Sequence, residues 1–154
     1  MKRVDRSERI PRVLGESWAL PALDANTRPF FTAGVLTLQQ CTRCKHVQHP
    51  PEDVCEACQS FALESFASAG DGRIESVAVV THAVHPSLAD RVPYAIVLVS
   101  VADAPGDPIA DPHRVGLLAD AVRIGDRVRV VFEQAKDRRT GEELGIPQWQ
   151  IVDG

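Results

Sequence analysis

The second half of the chain consists of short segments rich in Val and Ile, separated by turns that contain Pro, Gly and Asp. Such segments predict strands, because β-branched side chains pack well on a pleated surface. Five strands are expected: Arg73–Ala83, Val92–Ala102, Arg114–Leu118, Asp126–Gln134 and Pro147–Val152. Five short strands in about 80 residues fit a small closed barrel, and the OB-fold is the commonest five-stranded candidate.

The second of these strands is unusual because both of its faces are apolar. Its side chains alternate between Tyr94, Ile96 and Leu98 on one face and Ala95, Val97, Val99 and Val101 on the other. The fourth strand, in contrast, alternates arginines with valines and has one polar face. A strand with two apolar faces must be covered on both. The outer face is therefore expected to lie under the N-terminal helix or under a partner subunit.

The first half of the chain predicts a helix and a small metal-binding unit. A helix is expected from Leu20 to Ala33, although Pro29 inside it is unfavourable. Short strands at Leu36–Gln40 and Phe61–Ala67 enclose two cysteine pairs. The expected fold is mainly β, with four parts in chain order: a mobile basic N-terminus (1–17), a helical segment (18–35), a rubredoxin-like zinc ribbon (36–68) and a five-stranded OB-fold barrel (69–154).

The four cysteines fall in two pairs, Cys41-x-x-Cys44 and Cys55-x-x-Cys58. Each pair can wrap a tight knuckle, and two knuckles complete a tetrahedral shell of four sulfurs around one ion. The spacing predicts one structural zinc per chain. Rubredoxin-type iron is the chemical alternative, and redox or disulfide use is a further one. A closed tetrathiolate shell leaves no position for a substrate, so hydrolytic zinc chemistry is not expected.

Composition narrows the function classes. The 154 residues carry a formal net charge of −4, to which four thiolates with one Zn²⁺ would add −2, and only 5% are aromatic. These values argue against general binding to nucleic acids or anionic membranes. The longest uncharged apolar run, Val92–Ala102, is far shorter than the roughly 20 residues of a membrane helix. With no secretory signal pattern at the start of the chain, a cytoplasmic protein is expected.

Several short motifs occur in a fixed order along the chain: Phe30-Phe31, Leu36-x-Leu38, the two cysteine pairs on either side of Pro50-Pro51, Ser68-Ala-Gly-x-Gly72, Pro93-Tyr94 and Val122-x-Ile-Gly125-x-x-Val128. This ordered set resembles the zinc-ribbon/OB-fold family that was first catalogued as a domain of unknown function and is associated with thiolases and acyl-CoA enzymes. The resemblance extends from about Ala22 to Val152. Two positions depart from the family, in which Gly is frequent at position 45 and Arg at position 52; this chain has Lys45 and Glu52.

The resemblance implies an accessory role. Members of the family stabilise or bridge thiolase, acyltransferase, synthase or aldolase subunits and help to hold acyl-CoA, while the partner supplies the catalytic cysteine and histidines. The chain is therefore expected to be a non-catalytic subunit of a hetero-oligomer with a thiolase-like enzyme. Acyl-CoA is a further expected ligand.

Two sets of residues are candidates for these contacts. Trp18, Phe30 and Phe31 either form the core of the helix–ribbon junction or face the partner, and Tyr94 is a further candidate partner contact. Guanidinium groups suit phosphates, so Arg91 and Arg123 are the candidates for the phosphates of CoA.

Two other function classes stay open. An OB-fold can bind single-stranded nucleic acid, although the acidic barrel and the scarcity of aromatic residues disfavour it. A stand-alone acyl-CoA enzyme would have to use His82 and His85, because every cysteine is assigned to metal.

Overall fold

The computed structural model of the protein describes Leu14 and residues 18–104, 113–118 and 122–152. Over these residues the chain forms one short helix, eight strands and a single 3₁₀ turn at Pro86–Leu88. The elements follow one another in the order α1 (Arg28–Thr32), β1 (Leu36–Cys41), β2 (Val47–Gln48), β3 (Leu63–Ser68), β4 (Asp71–Val80), β5 (Tyr94–Val101), β6 (His113–Leu118), β7 (Arg127–Lys136) and β8 (Glu143–Ile151). The expected 1–17 terminus lies outside the described residues, apart from Leu14.

The first sheet is a three-stranded antiparallel ribbon with β1 in the middle, in the order β2-β1-β3. The register pairs Leu36 with Ser68 and Cys41 with Leu63, so β1 and β3 are matched along their whole length. Strand β2 contains only two residues, and such a short strand has no readable periodicity in the sequence. The first cysteine pair begins at the end of β1, and the second lies in the loop between β2 and β3.

The second sheet is antiparallel, with the strand order β6-β5-β4-β7-β8. Strand β4 is its centre and pairs with β5 along most of its length and with β7 over Asp71–Arg73. A register shift between Ile74 and Ser76 bends β4, which pairs with β5 on one side and with β7 on the other. The sheet curls until β6 and β8 approach each other, but no ladder of hydrogen bonds joins these two strands. The five-stranded OB-fold is confirmed, although the barrel is open at this seam and not closed as expected.

The ribbon and the OB-fold share one hydrophobic core. Leu36, Leu38 and Val47 of the ribbon pack in the same cluster as residues of β4, β5, β7 and β8. Gly70 lies where the two units meet, with φ at +78°, and a Cβ at this position would collide with Val130. A glycine is therefore required at position 70, because only glycine can adopt this backbone without steric cost and let the two units approach so closely.

The N-terminal helix is much shorter than the expected Leu20–Ala33. Asp24 explains the difference, because its carboxylate accepts hydrogen bonds from the N–H groups of Asn26 (2.9 Å) and Thr27 (2.8 Å) and so forms a turn. Pro29 lies in the first turn of α1, where a proline is tolerated and does not interrupt the helix. The helical segment therefore begins about eight residues later than predicted.

Helix α1 packs mainly against β8 and β1. Arg28 forms an ion pair with Glu142, the residue before β8, and this contact holds the helix next to that strand. On the outer face of β5, Ile96 stays 39% exposed, while Tyr94 and Leu98 are half-buried. The helix therefore does not cover this face at Ile96, and cover by a partner subunit stays a prediction.

Candidate metal centre and its surroundings

The two cysteine knuckles have the same backbone structure. In the first, the N–H of Lys45 donates to the carbonyl of Cys41 (2.9 Å), and in the second the N–H of Gln59 donates to that of Cys55 (2.8 Å). Both donors have positive φ, +66° at Lys45 and +58° at Gln59. This conformation favours glycine. Lys45 thus keeps the knuckle geometry although it replaces the glycine that the family often has.

The four sulfurs lie where a tetrahedral ion requires them. All four Sγ atoms are within 4.8 Å of one another. The distance is 3.6 Å between Cys41 and Cys58 and 3.7 Å between Cys44 and Cys55. A tetrahedron with Zn–S bonds of about 2.3 Å has sulfur–sulfur edges of about 3.8 Å. The site therefore fits one tetrahedral metal ion, with ligands from both knuckles.

The thiols also influence one another electrostatically. A hydrogen bond from the backbone N–H of Cys44 lowers the pKa of Cys41 to about 6. The N–H of Ser60 acts in the same direction on Cys58, but burial and the three neighbouring thiols outweigh it and raise the pKa of Cys58 to about 12. Four thiolates so close together need a cation to balance them, which is the function of the metal.

Two buried glutamines organise the loop between the knuckles. Gln48 donates from Nε2 to Gln39 Oε1 (2.7 Å) and to the carbonyl of Val54 (3.1 Å), and its Oε1 accepts from the N–H of Glu56 (3.0 Å). Gln39 in turn exchanges two hydrogen bonds with the backbone of Glu52 (2.8 and 2.9 Å). These contacts flank Cys55 on both sides and fix the position of the second knuckle. Neither glutamine was predicted from the sequence, since polar residues in a short strand carry no distinctive spacing.

Two histidines, His46 and His49, lie beside the metal centre, whose four candidate ligands are all cysteines. His46 Nε2 is 2.7 Å from Glu56 Oε1, a contact that joins the first knuckle to the second. The ring of His49 lies against that of Phe30, with 4.6 Å between the centroids, and burial lowers the pKa of His49 to about 4. His49 therefore belongs to the helix–ribbon junction.

The aromatic candidates for partner contacts are all half-buried. Phe30 packs against the core and edge-to-face on Phe31, with 4.9 Å between the centroids. Trp18 lies edge-to-face on His85 at 4.8 Å, beside the 3₁₀ turn. Phe30 thus contributes to the helix–ribbon junction, while a partner role for Trp18, Phe31 and Tyr94 stays a prediction.

The polar candidates do not form a second site. Arg91 precedes Tyr94, which pairs with Val80 at one end of β4, whereas Arg123 lies in the turn that meets Ile74 near the other end. Six residues of strand separate these ends, a span of about 20 Å. Arg91 and Arg123 therefore cannot hold one phosphate group together. His82 is exposed, and the Nδ1 of His85 accepts from the N–H of Ser87 (3.2 Å) as the cap of the 3₁₀ turn.

Comparison with known families decides the assignment. The model of the ChsH2 rubredoxin-like zinc ribbon domain matches residues 32–64, and that of the ChsH2 C-terminal OB-fold domain matches residues 67–133. The chain belongs to the ChsH2 zinc-ribbon/OB-fold family. The family resemblance inferred from the ordered motifs is confirmed, and the metal expected at the four cysteines of a ChsH2-type ribbon is zinc.

Two individual proteins are similar to this chain over most of its length. A probable enoyl-CoA hydratase alpha subunit of Thermomonospora curvata is 30% identical over 127 residues, which are 80% of this chain and 37% of the relative. The chain thus spans little more than a third of that protein. A solved structure described as Ltp2-ChsH2(DUF35) aldolase is similar with a TM-score of 0.66 and 27% identity, over 86% of this chain and 98% of the matched one. Among the described residues, no helix is long and apolar enough to span a bilayer.

Proposed function

We propose that this chain is a non-catalytic, zinc-binding accessory subunit of a thiolase-superfamily complex that acts on acyl-CoA or related acyl substrates. The observation that carries the proposal is the similarity over nearly the whole matched chain of the Ltp2-ChsH2(DUF35) aldolase. In this role the chain stabilises the enzyme subunit and contributes to its acyl-CoA site, while the enzyme subunit supplies the catalytic groups.

The chemistry of the chain supports a non-catalytic role. All four cysteines converge on one centre, so none is left to act as a nucleophile. When bound, the metal supplies a cross-link between the two knuckles, and four thiolates close its coordination shell. The chain's own residues then hold that cross-link in place: Gln39 and Gln48 position the second knuckle, and His46 connects it to the first.

The descriptions of the two relatives fit successive reactions, which supports an aldolase-type enzyme as the partner. Hydration of an enoyl-CoA places a hydroxyl group on the carbon β to the thioester carbonyl. A retro-aldol cleavage requires a hydroxyl at that position. One relative is described as a hydratase subunit and the other as an aldolase. We therefore propose that the complex containing this chain cleaves a 3-hydroxyacyl-CoA.

Within this proposal, the finer contacts can be assigned to separate surfaces. The uncovered outer face of β5, with Tyr94 at its end, is available to the enzyme subunit. Arg91 and Arg123 are each available to a phosphate group of CoA, but at different places. A cytoplasmic location is consistent with acyl-CoA as the substrate.

Co-expression with a thiolase-like aldolase subunit from the same organism tests the proposal. The two chains are expected to co-purify in a fixed ratio, and the enzyme should be less soluble and less active without this chain. The isolated chain should not turn over acyl-CoA. If the enzyme subunit is equally soluble and active alone and does not bind this chain, the proposal is wrong. Cleavage by the isolated chain that is lost in His82→Ala would instead indicate an independent enzyme.

A further inference from the structure

The turn that leads into β7 projects from the OB-fold. The N–H of Asp126 donates to the carbonyl of Arg123 (3.2 Å), which closes a tight turn over residues 123–126. Ile124 is 70% exposed, and a Cβ on the neighbouring Gly125 would meet no atom within 4 Å. A single exposed aliphatic side chain needs no explanation by itself. What distinguishes this one is the charge around it.

Three exposed arginines surround the turn. Arg73 on β4 lies directly opposite Arg127 on β7 in the strand register. The guanidinium of Arg73 donates to the carbonyl of Gly125 (3.1 Å), and Arg123 is the first residue of the turn itself. Like charges directly opposite each other on neighbouring strands destabilise a sheet. The arrangement therefore costs stability in the isolated chain.

The nearby carboxylates do not neutralise these arginines. Asp71 is paired with Arg129 (2.8 Å), and Asp126 accepts the backbone N–H of Arg123 (2.9 Å). Within the part of the chain that the structure describes, Arg73, Arg123 and Arg127 have no ion pair. A protein with a net charge of −4 thus has, among the residues that the structure describes, a patch of three arginines without ion pairs at one end of β4.

The shape of this patch favours a protein over a small ligand. Sites for small molecules are concave, whereas this turn is convex. A cavity of about 160 Å³ lies elsewhere, between α1 and the ribbon, with Asn26, Phe30 and Gln39 in its wall. An apolar centre with arginines around it is the usual composition of a protein–protein contact.

We propose that the turn 123–126, together with Arg73 and Arg127, docks into an apolar pocket with an acidic rim on the enzyme subunit. Ile124 enters the pocket, and Arg73 and Arg127 pair with carboxylates at its edge, which leaves Arg123 available to a phosphate group of CoA. The pairing relieves the repulsion between Arg73 and Arg127 and speeds association through charge attraction. This inference rests on the proposed accessory function and adds the location of the docking surface and the charge of its partner.

Matched aspartate variants test the apolar contact with the enzyme subunit from the co-expression experiment. Ile124→Asp should weaken binding to that subunit by about tenfold or more, as expected for a central interface residue. Phe61→Asp is the control, because Phe61 is 80% exposed and precedes β3 at the end of the ribbon far from the OB-fold. It should change the affinity by less than about twofold, in the range of a position outside the interface. Loss of affinity in Phe61→Asp alone would place the contact on the ribbon and overturn the inference.

A second pair of variants tests the charges. Arg127→Gln should slow association at low salt and make the rate less dependent on salt, whereas Lys136→Gln at the other end of β7 should do neither. Equal effects of both variants would overturn the inference but leave the proposed function intact. Absence of any complex with the wild-type chain would overturn both. If pyrophosphate binds the wild-type chain but not Arg127→Gln, while Ile124→Asp does not affect the complex, the patch is a small-anion site and docking is ruled out.

Discussion

At the scale of single residues, the buried amides of Gln39 and Gln48 hold the loop that carries the second half of the metal centre. A loop without secondary structure leaves backbone groups that need partners, and burial makes each missing partner expensive. The two amides bond the backbone at Glu52, Val54 and Glu56. The position of Cys55 in the middle of this loop therefore depends on side chains from β1 and β2.

Replacement of Gln48 by Met keeps the length of the side chain but removes its three hydrogen bonds. The free energy of unfolding of the zinc-loaded protein should fall by roughly 2–5 kcal/mol, because buried partners lose their hydrogen bonds. Urea unfolding measures this change, and competition with a chelator should show weaker zinc binding. Gln40→Met on the neighbouring strand β1 is the control. It removes one exposed hydrogen bond to Lys45 and should cost less than about 1 kcal/mol. Equal losses in the two variants would contradict this account.

His49 should make the fold sensitive to acid. Burial lowers the pKa of His49 from 6.5 to about 4. Between these two pH values the unfolded chain is protonated at His49, whereas the folded chain is not. The contribution of His49 to the free energy of unfolding is therefore complete above about pH 6.5 and is lost as the pH falls towards 4, with a slope of at most about 1.4 kcal/mol per pH unit. Unfolding in urea near pH 7.5 and near pH 5 should show a larger loss in the wild type than in His49→Gln. Zinc release in acid affects both proteins equally, so a difference of zero would contradict the prediction.

At the scale of elements, the passage from β3 to β4 depends on a short polar network. The hydroxyl of Ser68 donates to Asp103 (2.6 Å) and accepts from the N–H of Gly70 (3.0 Å), while the N–H of Ala69 donates to the same carboxylate (2.8 Å). The carbonyl of Gly70 then accepts from Val130 on β7 (2.8 Å). This network turns the chain from one sheet into the other.

Gly70→Ala should therefore destabilise the protein more than Gly34→Ala does. Both glycines have similar positive φ values, +78° and +73°, so the backbone strain of an alanine is nearly the same. Space around Gly34 is open, whereas a Cβ at Gly70 collides with Val130. The extra loss of unfolding free energy at Gly70 should be about 1–3 kcal/mol, the usual cost of overpacking. Thermal and urea unfolding of the two variants measure the difference, and equal values would contradict it.

The elements show what could be predicted from sequence and what could not. The strands of the OB-fold follow from Val- and Ile-rich segments, and their observed ends differ from the predicted ones by a few residues because side-chain pattern does not mark where pairing stops. The helix was overestimated since local side-chain hydrogen bonds at Asp24 compete with helical ones. The metal ligands were predictable because Cys-x-x-Cys spacing is local. Gln39 and Gln48 were not, since their partners are set by the folded loop.

At the scale of the whole molecule, the ribbon and the OB-fold share one core and are expected to unfold as one unit. Leu36 is 1% exposed and Trp149 on β8 is fully buried, and both belong to the same cluster. Unfolding of the ribbon must therefore also disturb the packing of the OB-fold.

Removal of zinc tests this coupling. Chelation should change the fluorescence of Trp149 together with the loss of ribbon structure, in one cooperative transition, because apolar contacts of Leu36, Leu38 and Val47 are lost from the common core. Trp18→Phe removes the other tryptophan, so the emission reports Trp149 alone. Cys55→Ser should reproduce the effect without a chelator. If Trp149 keeps its native emission after zinc is removed, the OB-fold is independent of the ribbon.

The common core also limits how such a protein can be engineered. A zinc ribbon looks like a detachable module, but here one side of β1 forms part of the interior of its neighbour. Grafting this ribbon onto a different OB-fold would leave Leu36 and Leu38 facing a surface that was not shaped for them. A working chimera would have to include the junction between the two units, with Gly70 and Val130, the valine that faces it. The natural unit of exchange is thus the ribbon and barrel together.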